Sequence, residues 1–161
     1  MRWGCLVVLA ALASCGPPPK PPAPLMWQGL PVSGSLADAR RAGFTNCHSD
    51  NVAMRCRREG VMLAGQGPYS AAVDLKRADG AGGFHQLTLW HGQRQEAVQA
   101  IGPVLLAQGW TTCRTGTADR GDQVIYRRGG SPVRISVDAS YWSKRRLRVL
   151  PELGQPTGKC W

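Results

Sequence analysis

The sequence predicts an α+β fold, an antiparallel sheet packed by two helices, on three observations. Several short segments alternate apolar and polar residues, the period-two pattern of a half-buried strand. Two other stretches, 35–43 and 93–108, carry helical spacing. One helical stretch followed by about four strands occurs twice in the same order. A helix laid over an antiparallel sheet buries one face of each element.

In chain order, Ser35-Leu-Ala-Asp38 opens the first helical stretch, with Ser35 able to cap, Asp38 three residues on, and Gly43 able to end it. Strand signals follow in GFTNC, VAMRCRR, VML, SAAVDLK and FHQLTLWH. In the last, Leu87 and Leu89 share a face with His85 and His91, and Phe84, Gln86, Thr88 and Trp90 take the other. Gln93–Gln108 is the expected main helix, with Ala97, Val98, Ile101, Val104 and Leu105 on one stripe and a kink expected near Gln99 from Gly102-Pro103. Strand signals resume in GWTTCRT, DQVIYRR, PVRISVDA and RRLRVL. The two series match pairwise: AGFTNC with QGWTTC, MRCRREG with VIYRRGG, AAVDL with ISVDA, QLTLW with RLRVL. This is the pattern of a duplicated unit, candidate repeats 35–91 and 93–150, or of chance similarity between alternating strands. A helix leading into a four-strand meander is similar, in element order, to cystatin-like or helix-grip units, a likeness that implies no activity.

The N-terminus is a separate device. Arg2 precedes an apolar run from Trp3 to Ala13, too short for a bilayer-spanning helix of ~20 residues but suited to an export signal. The run ends in Leu12-Ala13-Ser14-Cys15, which resembles the lipobox of bacterial lipoproteins. That resemblance implies cleavage before Cys15, a diacylglyceryl thioether on Cys15 and acylation of its new amino group, an anchor far stronger than one chain provides. Gly16, where an Asp would resemble an inner-membrane retention signal, favours the outer membrane facing the periplasm. The alternative is an ordinary cleaved signal with a chance cysteine. Six prolines between Gly16 and Pro24 exclude helix and favour a polyproline stalk of roughly 25–30 Å; a Pro-rich recognition ligand is the rival reading. The expected layout is therefore signal peptide 1–14, lipid-anchored linker 15–34 and globular domain 35–161.

Cys5 falls in the signal and Cys15 carries the expected lipid, leaving Cys47, Cys56, Cys113 and Cys160. Four cysteines in an exported chain form two disulfides in any of three pairings. Cys47–Cys56 across a turn and Cys113–Cys160 at the C-terminus are preferred. A zinc site from Cys47, His48 and Cys56 is the alternative, without the paired spacing such sites use.

No nucleophile elbow, zinc-protease helix, phosphate loop or dinucleotide fingerprint occurs, so no catalytic residue and no cofactor is assigned. Asp74 and Asp138 occupy matching places and fit either an acid/base pair or structural ion pairs. The net charge is +10, and the C-terminal third is strongly basic. Alternation puts Arg134, Arg146 and Arg148 on the face opposite Val133, Ile135, Val137, Leu147 and Val149. With Tyr141 and Trp142 at its edge, such a face is a candidate grip for phosphates or carboxylates; an alternative role is solubility of an exposed sheet. Trp90 and Trp110 are expected as core or helix-covering anchors, and Trp27 near the membrane interface or a partner.

The expectation is a membrane-anchored envelope lipoprotein, a binding or structural module rather than an enzyme. Its partners would be the membrane through the lipid and an envelope protein or anionic envelope polymer. Nucleic acid does not suit an envelope address. The alternatives are an envelope hydrolase without a recognisable motif, or an inhibitor of an exported enzyme.

Overall fold

The computed structural model describes residues 23–116, 121–140 and 144–154. The signal, Cys15, the start of the stalk, Tyr141, Trp142 and Cys160 lie outside the described residues.

The chain enters through a small hairpin, β1 (Met26–Trp27) and β2 (Leu30–Pro31). Gln28 and Gly29 both take positive φ at its turn. Trp27, Leu30 and Val32 are buried, and Trp27 meets Trp110 edge to face with centroids 5.8 Å apart. The structured domain therefore starts ahead of Ser35, inside the stretch expected as linker. Trp27 belongs to the core rather than to a membrane or partner surface.

Helix α1 (Leu36–Arg41) carries the expected capping box: the Asp38 amide donates to Ser35 Oγ and the Ser35 amide to Asp38 Oδ2. Gly43 ends it at φ +84°, a conformation costly for any residue with a Cβ. Strands β3 (Asn46–Ser49), β4 (Ala53–Leu63), β5 (Gln66–Lys76) and β6 (Leu87–Trp90) then run as an antiparallel meander. Two short helices, α2 (Glu96–Gln99) and α3 (Ile101–Ala107), lead to β7 (Thr111–Thr115), β8 (Gln123–Arg127), β9 (Val133–Asp138) and β10 (Leu147–Pro151).

The strand order is β3-β4-β5-β6-β10-β9-β8-β7, one eight-stranded sheet with β6 and β10 antiparallel at its centre. The pairwise-matched sequence stretches fall on β3 and β7, β4 and β8, β5 and β9, β6 and β10. The register departs at the edges: Cys47 faces Cys56 on the core side, whereas Cys113 lies opposite Ile125 on the other side.

This architecture corrects the α+β expectation. The described residues are predominantly antiparallel β-sheet, with helices of six, four and seven residues among them. The physical reason lies in the expected main helix. Pro103 has no amide to donate and crowds the preceding turn, so the helical stretch divides at Ala100. The strands, two of them eleven residues long, carry most of the buried core side chains. Leu87, Leu89, Ala71, Val73, Leu75, Ile135, Val137, Leu147 and Val149 project to one sheet face. Ala39, Val98, Ile101 and Leu105 from the short helices share that core, and Tyr69 Oη donates to the Ala97 carbonyl at 3.0 Å. The isolated bridge between Gly34 and Phe84 lies ahead of β6, which is why Phe84 is buried in this core instead of on the face of Thr88.

Candidate functional site

Alternation leaves the other sheet face to polar side chains, and strand order decides which of them are neighbours. Along one row the register places Arg57 beside Ala72, Ala72 beside Thr88, and Thr88 beside Arg148. One step along the strands, Ser70 opposes Trp90, and the Leu89–Leu147 pairing sets Arg146 next to Trp90. On the opposite side of the row, His48 opposes Arg55 and Arg55 opposes Asp74.

Ala72 is the small member of this neighbourhood. Surrounded by long side chains, it leaves a recess of about 150 Å³ lined by Arg55, Arg57, Ala72, Thr88, Trp90, Lys144 and Arg146. Ala72 and Thr88 are buried at its floor, while Arg57, Lys144 and Arg146 are exposed around it. Among the described residues four cations and no carboxylate line the space. Arg55 is held by Asp74 through two hydrogen bonds of 2.5 and 3.0 Å, which raise its pKa above the ordinary guanidinium value. The Arg57 guanidinium lies 5.9 Å from the Trp90 ring centroid, within cation–π range. Thr88 Oγ1 accepts from the Gln86 side-chain Nε2 at 2.9 Å, which leaves its own proton free to donate.

The arginines singled out from sequence divide. Arg146 is at the recess. Arg148 is tied to Asp138 by hydrogen bonds of 2.5 and 3.4 Å, with its side chain 22% exposed. Arg134 is buried at 8% exposure and has partners of its own. Asp138 also accepts from the Arg146 amide at 3.1 Å, so this part of the face is a packed polar layer. Tyr141 and Trp142 fall outside the described residues. Arg55, Arg57, Trp90 and Lys144 complete the recess without having been singled out as ligand residues. For Arg55, Arg57 and Trp90 the signal was same-face parity on VAMRCRR and FHQLTLWH, for Lys144 only its place in the basic run ahead of RRLRVL, and what sequence lacked was the order in which those strands sit.

Asp74 and Asp138 do not converge. β5 and β9 are three interstrand steps apart, roughly 14 Å, and each aspartate holds an arginine. The histidines are dispersed as well. His48 is exposed on β3, His85 is exposed near Asp38, and His91 Nδ1 accepts from the Gln93 and Arg94 amides at 3.3 and 3.0 Å. Among the described residues no group of three or more His, Cys, Asp or Glu could hold a metal ion.

Cys47 and Cys56 form a disulfide across the β3–β4 register pair, which leaves no thiolates for the alternative zinc site. Cys113 is also disulfide-bonded, and its expected partner Cys160 lies outside the described residues. No helix among the described residues is long and apolar enough to cross a membrane. In comparisons with known proteins, no family model, no curated protein and no solved structure matches this chain.

Proposed function

We propose that this chain is a lipid-anchored envelope protein whose domain binds an anionic partner at the recess on the sheet face opposite the short helices. The lipobox-like Leu12-Ala13-Ser14-Cys15 and the proline stalk support the address, an outer-membrane anchor facing the periplasm. The observation that carries the binding function is the set Arg57, Lys144 and Arg146, three exposed cations around one recess with no carboxylate among its described lining residues. Guanidinium groups match phosphate and carboxylate oxygens with paired donors. The dispersal of Asp74, Asp138 and the histidines favours a binding module over a hydrolase, because general acid–base chemistry needs groups converging on one atom.

The test compares two variants of equal charge. Arg57→Gln/Lys144→Gln/Arg146→Gln removes the recess cations; Arg40→Gln/Lys76→Gln/Arg94→Gln removes three exposed cations elsewhere. Tripolyphosphate binding measured by calorimetry should fall at least tenfold in the first and less than threefold in the second. It should weaken as salt shortens the screening length in the wild type. Equal loss in both variants would reduce the recess to general surface charge. In cells, labelled fatty acid should enter the wild type and not Cys15→Ala; labelling of both would remove the anchor from the reading.

A further inference from the structure

We infer that the recess selects a phosphomonoester, a terminal phosphate carrying close to two negative charges, in preference to a phosphodiester or a carboxylate. This rests on the anion-binding reading above and specifies its ligand.

The first argument is shape. About 150 Å³ is room for a tetrahedral oxyanion together with the few atoms next to it, so the end group of a larger molecule fits there. The cations also approach from opposite sides. Arg55 and Arg57 come from β4, and Lys144 and Arg146 from the segment that leads into β10, with β5 and β6 between them. β4 and β10 are three interstrand steps apart, roughly 14 Å, a span that two extended basic side chains close over a single group seated on Ala72 and Thr88. A planar carboxylate offers its two oxygens to one side. A terminal phosphate offers three oxygens, enough to meet both walls and the Thr88 hydroxyl at the floor.

The second argument is charge. Of the four lining cations, Asp74 compensates only Arg55. Glu59 is bound by the Ser70 hydroxyl and does not line the recess. Three positive charges therefore face the ligand, an excess suited to a dianion rather than to the single charge of a diester or carboxylate. Trp90 supplies the third feature. Arg57 occupies one side of its ring, which orients the guanidinium, and the exposed part of the ring offers apolar contact to the carbon next to the phosphate.

The second ionisation of a phosphomonoester lies near pH 6, and Arg and Lys keep their charge well above that range. The experiment measures binding of glycerol 3-phosphate, dimethyl phosphate and acetate to the full chain at pH 7.5 and 5.0. Glycerol 3-phosphate should bind at least tenfold more tightly than the others at pH 7.5. It should weaken about tenfold at pH 5.0, as the dianion falls to about a tenth of the ligand. The same pH response should persist in His48→Gln/His91→Gln, which removes the histidine opposite Arg55 in register and the one following Trp90. Ala72→Leu, which fills the floor without changing charge, and Arg57→Gln/Arg146→Gln should each abolish the preference. Vesicles of phosphatidylcholine with phosphatidic acid separate a lipid headgroup source, captured and competed by glycerol 3-phosphate, from a soluble phosphate, which binds without vesicle capture. Equal affinity for glycerol 3-phosphate and acetate, or a pH response lost with the two histidines, overturns the inference while tripolyphosphate binding keeps the anion-binding reading. Loss of tripolyphosphate binding as well removes both.

Discussion

Asp74 and Asp138 occupy corresponding strands, and each pairs with an arginine on the same sheet face, yet replacing them with Asn should have unequal effects. The Arg55–Asp74 side chains are 45% and 37% exposed, whereas Arg148–Asp138 are 22% and 10% exposed. Water screens the first pair strongly, and exposed pairs contribute about 0.2–1 kcal/mol. Asp74→Asn should therefore cost less than about 1 kcal/mol. Removing one partner of a fully buried pair costs about 3–5 kcal/mol. Arg148 keeps some contact with water, and the carboxamide introduced by Asp138→Asn would still accept the Arg146 amide. Those two reliefs bring Asp138→Asn to about 2–3 kcal/mol. Urea unfolding of the oxidised chain, followed by tryptophan fluorescence, measures both, with an unchanged denaturant slope as evidence that the unfolded states are comparable. Equal costs, or a larger cost at Asp74, would refute the use of burial to rank these pairs.

Stability should fall at both extremes of pH. Asp38, Asp50 and Asp79 have pKa values lowered chiefly by the Ser35 hydroxyl, the Val52 amide and the Ala81 amide respectively. Their contribution is complete above the unfolded carboxylate value of about 3.9 and is lost as pH falls through the lower folded values. Tyr69 and Tyr126 are raised by burial, so their contribution is complete below about pH 10 and lost as pH climbs through the folded values. Thermal melts across pH should show both losses, and Tyr69→Phe should reduce the alkaline one; a flat alkaline limb would contradict the burial of these phenols. Gly102→Ala puts a Cβ 2.6 Å from Tyr126 Oη and should cost about 1–3 kcal/mol. Adding Tyr126→Phe should recover most of that in the same unfolding assay, and Gly129→Ala, where nothing lies within 4 Å, should be neutral.

Features set by neighbours along the chain were legible in the sequence. The Ser35–Asp38 capping box, the parity that divides Leu87 and Leu89 from Thr88 and Trp90, and the Cys47–Cys56 pairing depend on few residues. What stayed hidden depends on lateral order. Parity placed Arg134, Arg146 and Arg148 on one face but cannot distinguish an open face from a covered one, so two arginines in polar packing looked equivalent to one at a recess. It also cannot show that Arg57 sits two strands from Thr88, or that Arg146 lies beside Trp90. The α+β expectation failed for a related reason. Helical periodicity runs unbroken across Ala100, where the backbone instead divides into the short helices α2 and α3.

The β6–β10 seam has a consequence for assembly. Three register pairs, Leu87 with Val149, Thr88 with Arg148 and Leu89 with Leu147, join strands far apart in sequence, while each flanking meander closes through shorter connections. Loop-closure entropy then favours formation of the two meanders before their union. Trp90 and Thr88 come from one side of that seam, Lys144 and Arg146 from the other, so the recess is created only by the union. An anion held there bridges the two meanders and stabilises the joined sheet in proportion to its occupancy. Ligand protection against unfolding would be read first at the seam, by slowed amide exchange in β6 and β10.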